Sequence, residues 1–381
     1  MYLDENASYI YKMNEIDYNH FPNILRKVLI SLWACCAIHF MFLINIIKNA
    51  DCWQYSSTYL AYKWEVSAGR WLIPLVDLSR GRLNIPYFSA MSSFVVLSVI
   101  SCIFVKCFPN IDLLDKCIML GLFFSAPFVC NILSYSYCAE AYFISFLFSI
   151  LSSLYIVKMN QTNKVKYGII SAVSLVCSMA LYQAFFPVVL EIVIFCVVNR
   201  ILNNQGDGLV VYNIAPIFLG GMLYCLANKI ILMLFHTDSN KTFSVFSLSI
   251  IDLIKLLPEQ IINSYKYFYH IYFTNQIVKH RFGESFLIAY VLFCFILFII
   301  CTIVTNHIKP HGILCIVLLI VLLPVFMSIV TIVSPNKVMR TTISAPYTVM
   351  LGGIYFVMLN INSKGGFKFP KILLMAQEIL D

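Results

Sequence analysis

Apolar residues in this chain neither alternate nor return at every third or fourth position. They come in long blocks, over 28–47, 87–105, 117–133, 141–157, 167–181, 184–199, 212–235, 285–305 and 313–333, with a tenth after residue 346. Blocks of roughly 18–22 residues are long enough for a helix to reach across a hydrocarbon core, and 167–181 and 184–199 are short for it. A backbone in lipid must bond to itself, so the blocks predict helices, and the period-two pattern of a barrel strand is missing. The pattern therefore predicts an all-α integral membrane protein of about ten transmembrane helices, in one polytopic domain over 1–381.

The polar interruptions are unequal. Three are long enough to carry structure: 48–86, 236–284 and 334–346. The first holds Trp53, Trp64 and Trp71 with the acids Asp51, Glu65 and Asp77 and the bases Lys63, Arg70, Arg80 and Arg82. It is too polar to span and too aromatic for a solvated linker, so interfacial helices are predicted there. The seven-residue spacing of Trp64 and Trp71, and of Arg70 and Asp77, predicts shared helix faces. In 236–284, Pro258 is placed at a helix start and the aromatic run 265–273 at the membrane surface.

Composition rules out a soluble domain: 61% of residues are hydrophobic, 12% are charged, and the mean hydropathy is +0.85. The net charge of +8 is spread through loops, which reads as topology rather than as a nucleic-acid surface. Arg26 and Lys27 precede the first block, and Lys158, Lys164 and Lys166 crowd one short loop, so these ends are expected in the cytoplasm with both termini. The first block is expected to remain as an anchor, because it starts too late and runs too long for a cleaved signal. The 14 cysteines form no CxxC pair and mostly lie inside apolar blocks, as small hydrophobes; Cys52 and Cys138 are expected as free thiols rather than a disulfide.

This topology brings two long loops and the shorter 334–346 loop to the outer face, and their residue types suit group transfer from a phosphate. One carboxylate can take a proton from an acceptor hydroxyl while cations steady the departing phosphate. Phosphate leaves readily, so one inverting displacement needs no strong general acid. Asp51 stands just beyond the first block, with Glu65 further along. Arg70 is either a phosphate ligand or a snorkelling anchor beside Trp64 and Trp71, and Gly69 permits close backbone approach. Arg340 and Lys337 put positive charge in a short outer loop, which favours phosphate binding. Tyr182 and Gln183 line a cavity or cap two short helices. Glu191 and Lys229 must face protein or water, and His39 reads as a satisfied interior residue. Too few acids converge for a tight divalent site, so neither metal nor cofactor is expected.

The stretches WEVSAGRW at 64–71, YSYCAEAY at 135–142 and ALYQAFFP at 180–187 resemble the bacterial and phage serotype-converting glucosyltransferases, the glucosyltransferase type II family. The resemblance covers nearly the whole length, with GRW its most distinctive block. It implies a GT-C-like transferase of the bacterial inner membrane that takes glucose from a polyprenyl-phosphate donor and adds it to lipopolysaccharide O-antigen on the periplasmic side. Asp51 matches the first-loop acid of such enzymes and Glu140 the acid of the next outer loop. Cys52 stands where many relatives carry a second acid, which leaves Asp51 and Glu65 both open as the base. Trp64, Gly69, Trp71, Tyr137, Tyr182 and Gln183 are the expected cavity residues. The expected partners are the lipid-linked sugar, the O-antigen and membrane lipid, and no nucleic acid. A transporter or flippase of a lipid-linked sugar is the alternative. It would carry its charges at mid-membrane and show internal repeats, whereas here the charges gather at the outer ends of the blocks. An acyltransferase lacks a convincing histidine or serine arrangement in the loops.

Overall fold

The computed structural model describes residues 20–45, 62–81, 83–108, 113–203, 210–238, 250–273, 292–293, 295–300, 302–304, 308–333, 346 and 349–359. Every regular element among them is helical. Among the described residues four helices are long and apolar enough to cross a membrane, and they form the frame: α5 (Pro86–Cys107), α8 (Ala139–Thr162), α10 (Gln183–Leu202, opening with a short 3₁₀ turn) and α11 (Ile214–Leu234, the apolar part of a helix that begins at Val210). The shorter apolar helix α9 (Val165–Leu181) fits between α8 and α11.

Several helices break where an uninterrupted block is expected. The first runs over His20–Ile38 as α1, pauses at His39 and Phe40, and resumes over Met41–Ile44. His39 is satisfied there, its Nε2 standing 2.8 Å from the Phe124 carbonyl oxygen. The third block splits into Leu113–Phe124 and Pro127–Leu133, because the residue before a proline avoids helical geometry and Ala126 is extended, with φ −61° and ψ 131°. The 313–333 block also divides, into Pro310–Val321, Leu323–Met327 and Ile329–Val333, with Pro324 in the first turn of the middle piece, where its missing N–H is tolerated. Pro258 does not start its helix, which begins eight residues earlier and runs over Ile250–Phe273 with Pro258 inside.

Side-chain contacts fix the directions. Ser31 meets Cys102 while Cys35 meets Ser98, so α1 and α5 are antiparallel. Ser92 meets Glu140 while Cys107 meets the Ile150 carbonyl, so α5 and α8 are parallel. Arg26, Lys27, Lys106, Lys158, Lys164, Lys166 and Arg200 consequently gather at one end of the bundle. Residues 62–81, the start of α8 and the start of α10 lie at the other.

Apolar attraction between helices is weak in lipid, so close contact depends on small residues, polar pairs and shape. Serines line the α8–α9 seam: Ser145 donates to the Ser178 carbonyl at 2.8 Å, Ser149 Oγ lies 2.6 Å from Ser178 Oγ, and Ser152 Oγ lies 2.9 Å from Ser171 Oγ. Gly220 lets α11 close on α9, since a methyl there would stand 3.1 Å from the Ala172 carbonyl oxygen. An aromatic chain fills the centre, with Phe104 against Phe123, Phe123 against Phe146 and Phe146 against Phe185 at centroid separations of 5.2, 5.6 and 4.9 Å. Each such pair contributes about 0.5–1.5 kcal/mol beyond its area.

Candidate active site

The site begins with a helix stop. Helix α3 (Tyr62–Ser67) ends as the Gly69 N–H bonds the Val66 carbonyl at 2.9 Å and the Arg70 N–H reaches back to the Glu65 carbonyl at 2.8 Å. This is a Schellman closure, and it needs a left-handed residue, which Gly69 supplies with φ +80°. The Leu72 N–H then bonds the Ala180 carbonyl at 3.0 Å, which pins the chain to the end of α9 before α4 (Ile73–Ser79) starts. Trp64 and Trp71 therefore do not share one helix face as their spacing predicts, and neither do Arg70 and Asp77. The left-handed turn at Gly69 separates them.

Membrane helices hold this turn. Gln183 Nε2 donates to the Ala68 carbonyl at 2.9 Å and to Tyr224 Oη at 2.8 Å, and Tyr224 Oη donates to the Gly69 carbonyl at 3.0 Å. A methyl on Gly69 would stand 2.4 Å from Tyr224 Oη and 2.8 Å from Gln183 Nε2, so side chains already occupy that space.

Just past the turn, Arg70 is 4% exposed. Its Nη1 lies 3.6 Å from Glu65 Oε2 and 3.5 Å from Tyr142 Oη. Its guanidinium carbon sits 4.8 Å from the Tyr182 ring centre and 5.5 Å from that of Trp64, within cation–π range of both. The Tyr142 and Tyr182 rings stack at 4.1 Å.

A second arginine organises the neighbouring acids. Arg80 Nε stands 3.1 Å from Glu140 Oε2, and Nη2 donates to the Tyr137 carbonyl at 2.5 Å and to Asp77 Oδ1. Ser92 Oγ donates to Glu140 Oε1 at 2.5 Å. Glu65, Asp77, Glu140, Arg70 and Arg80 are all buried. Cys138 is a free thiol beside them, fully enclosed, and burial pushes its pKa well above the usual thiol value.

The structure thus brings Glu65, Gly69, Arg70, Trp64, Tyr182 and Gln183 into one cluster and places Glu140 and Tyr137 in the adjoining one. Trp71 is half-buried between the turn and the core. Asp51, Lys337 and Arg340 lie outside the described residues. Sequence reasoning left out Arg80, Tyr142, Tyr224 and Asn228 and gave Asp77 no site role. Tyr142 ends the YSYCAEAY stretch, whereas Tyr224 and Asn228 stand inside an apolar block, where their four-residue spacing beyond Gly220 is the available signal. Among the described residues no group of three His, Cys, Asp or Glu side chains is placed to hold a metal ion.

Chemically, this is a buried cluster of charge set among aromatic rings at the end of apolar helices. Guanidiniums in such surroundings grip phosphate oxygens strongly, because little water competes for them. The sequence model of the family described as Glucosyl transferase GtrII matches residues 27–358. No curated protein and no solved structure matches the chain.

Proposed function

Because the chain belongs to the glucosyl transferase GtrII family, we propose that it moves a glucosyl or other hexosyl group from a polyprenyl-phosphate donor to lipopolysaccharide O-antigen. The reaction is a single inverting displacement at the periplasmic face of the bacterial inner membrane, in a GT-C-like scaffold of about ten spans with both termini cytoplasmic. The observation that carries this reading is the pair of buried arginines, Arg70 and Arg80, set among Glu65, Asp77 and Glu140 at the bundle end opposite the surface lysines. A lipid-borne phosphate and a water-borne acceptor meet at that boundary.

Arg70 holds the donor phosphate, joined by Arg340 and Lys337 from the 334–346 loop. Trp64, Tyr137, Tyr182 and Gln183 wall the sugar cavity, with Gly69 and Trp71 shaping its floor. Glu65 and Glu140 each already face a guanidinium. That supports Asp51, just beyond the first span, as the base that takes the acceptor proton, with Glu140 held in place by Arg80. No metal or other cofactor enters this scheme.

Asp51→Asn keeps shape and hydrogen-bonding reach but cannot accept the proton, so turnover should fall about a hundredfold or more with donor binding kept. An active Asp51→Asn beside a dead Glu65→Gln would move the base to Glu65, and activity in both would remove the main support for a transferase. One observation favours transport instead: Glu191 is fully buried midway along α10, and neither carboxylate oxygen has a hydrogen-bond partner among the described residues. Consumption of a polyprenyl-phosphate sugar by purified protein without any gradient decides for transfer.

A further inference from the structure

Gly220, Tyr224 and Asn228 follow one another at four-residue intervals along α11 and form a buried stripe. Gly220 seats the helix against α9, and Tyr224 bonds the turn at Gly69. Asn228, one turn further toward the charged end, is 8% exposed and bonds nothing among the described residues through its Oδ1. That oxygen nevertheless points at the site, 3.5 Å from where a methyl on Gly69 would stand. The nearby polar groups are already engaged: Tyr224 Oη donates to Gly69 and accepts from Gln183, and Gln183 Nε2 also serves Ala68.

A buried amide oxygen left in this state is costly, and an apolar side chain of similar size would fit a membrane helix better. Its retention beside the turn points to a ligand that supplies the missing donor. The neighbour of Gly69 along the chain is Arg70, so Asn228 and the arginine proposed to hold the donor phosphate belong to the same turn. We propose that the Asn228 amide reads the donor sugar, accepting a hydrogen bond from one hydroxyl of the hexosyl ring and thereby setting which hexose is transferred. This rests on the transferase reading above and adds the specificity residue to it.

The test compares wild type and Asn228→Leu, both purified, on polyprenyl-phosphate glucose and its 2-, 3-, 4- and 6-deoxy analogues. Wild type should lose about tenfold or more in kcat/KM on one analogue, the cost of a missing hydroxyl in a site built to bond it. Asn228→Leu should turn over that analogue and glucose equally, and should melt no lower than wild type, because no bond within the protein is lost. If Asn228→Leu fails to fold, Asn228→Ala, which also removes the acceptor, gives the same comparison. A variant that keeps wild-type discrimination on every analogue overturns the proposal while leaving the transferase standing. If wild type transfers hexose neither from these donors nor from the galactose and mannose counterparts, the transferase reading falls and the proposal falls with it.

Discussion

Arg70 shows how much chemistry one residue carries here, since charge, shape and burial act together. The guanidinium touches a carboxylate, a phenol and two aromatic rings. A lysine would keep the charge but lose the planar fork and the stacking. Arg70→Lys should raise the donor KM about tenfold or more with insertion unchanged, and an unchanged KM would remove Arg70 from phosphate binding. Cys138 offers a different residue-scale check. Enclosed and held in its thiol form by burial, it should resist maleimide in the native protein and react after denaturation in detergent. Labelling in the native state would mean that the charged cluster is open to water. Glu65, Gly69 and Arg70 were legible in the sequence because GRW is dense in chemistry within an apolar chain. Arg80 and Tyr224 were not: one looks like any loop base, the other like any residue of an apolar block, and their roles come from partners 57–60 and 155 positions away.

Among the elements, the short helices α3 and α4 matter more than their length suggests. Their seven-residue spacings imply one continuous surface helix, and the glycine between them turns the chain inward instead. Gly69→Ala should cost roughly 1–2 kcal/mol for the left-handed backbone alone, with further loss from collision with Tyr224 and Gln183. The unfolding midpoint in detergent should drop, and an unchanged midpoint would mean that the turn can be remade. Arg80 ties α4 to the start of α8 through Asp77, Tyr137 and Glu140. Arg80→Met leaves buried carboxylates without a cation, at a cost of about 3–5 kcal/mol, and adding Glu140→Gln should recover part of that stability. No recovery would show that Arg80 stabilises through Asp77 and Tyr137 alone. The helix interruption at Pro127 has a signal in the sequence, because the residue before a proline avoids helical geometry. The pause at His39 has no comparable signal in the sequence.

For the molecule as a whole, hydropathy alone was enough to indicate an all-helical membrane protein, because composition leaves no other way to satisfy so much apolar backbone. Sidedness is the prediction proper to this scale. Seven bases gather at one end and the buried arginines at the other, and only the exposed ones report the cytoplasm. Reporter fusions at Lys164 and Lys368 should register cytoplasm, and fusions near Asn240 and Asn336 should register periplasm. The same side for Lys164 and Asn240 would rule the orientation out.

The serines between α8 and α9 have a consequence for how these two helices pair in the bilayer. Ser145, Ser149 and Ser178 share hydroxyl bonds, and Ser145 and Ser149 also hold the Tyr182 and Phe185 carbonyls, where the chain leaves its helix. Either helix released alone into lipid would lose the cross-helix bonds of its hydroxyls. Asn163, in the left-handed conformation at φ 55°, closes the short link between the two. The pair therefore closes on contacts of its own, and two of the same hydroxyls also hold the backbone break that carries Gln183.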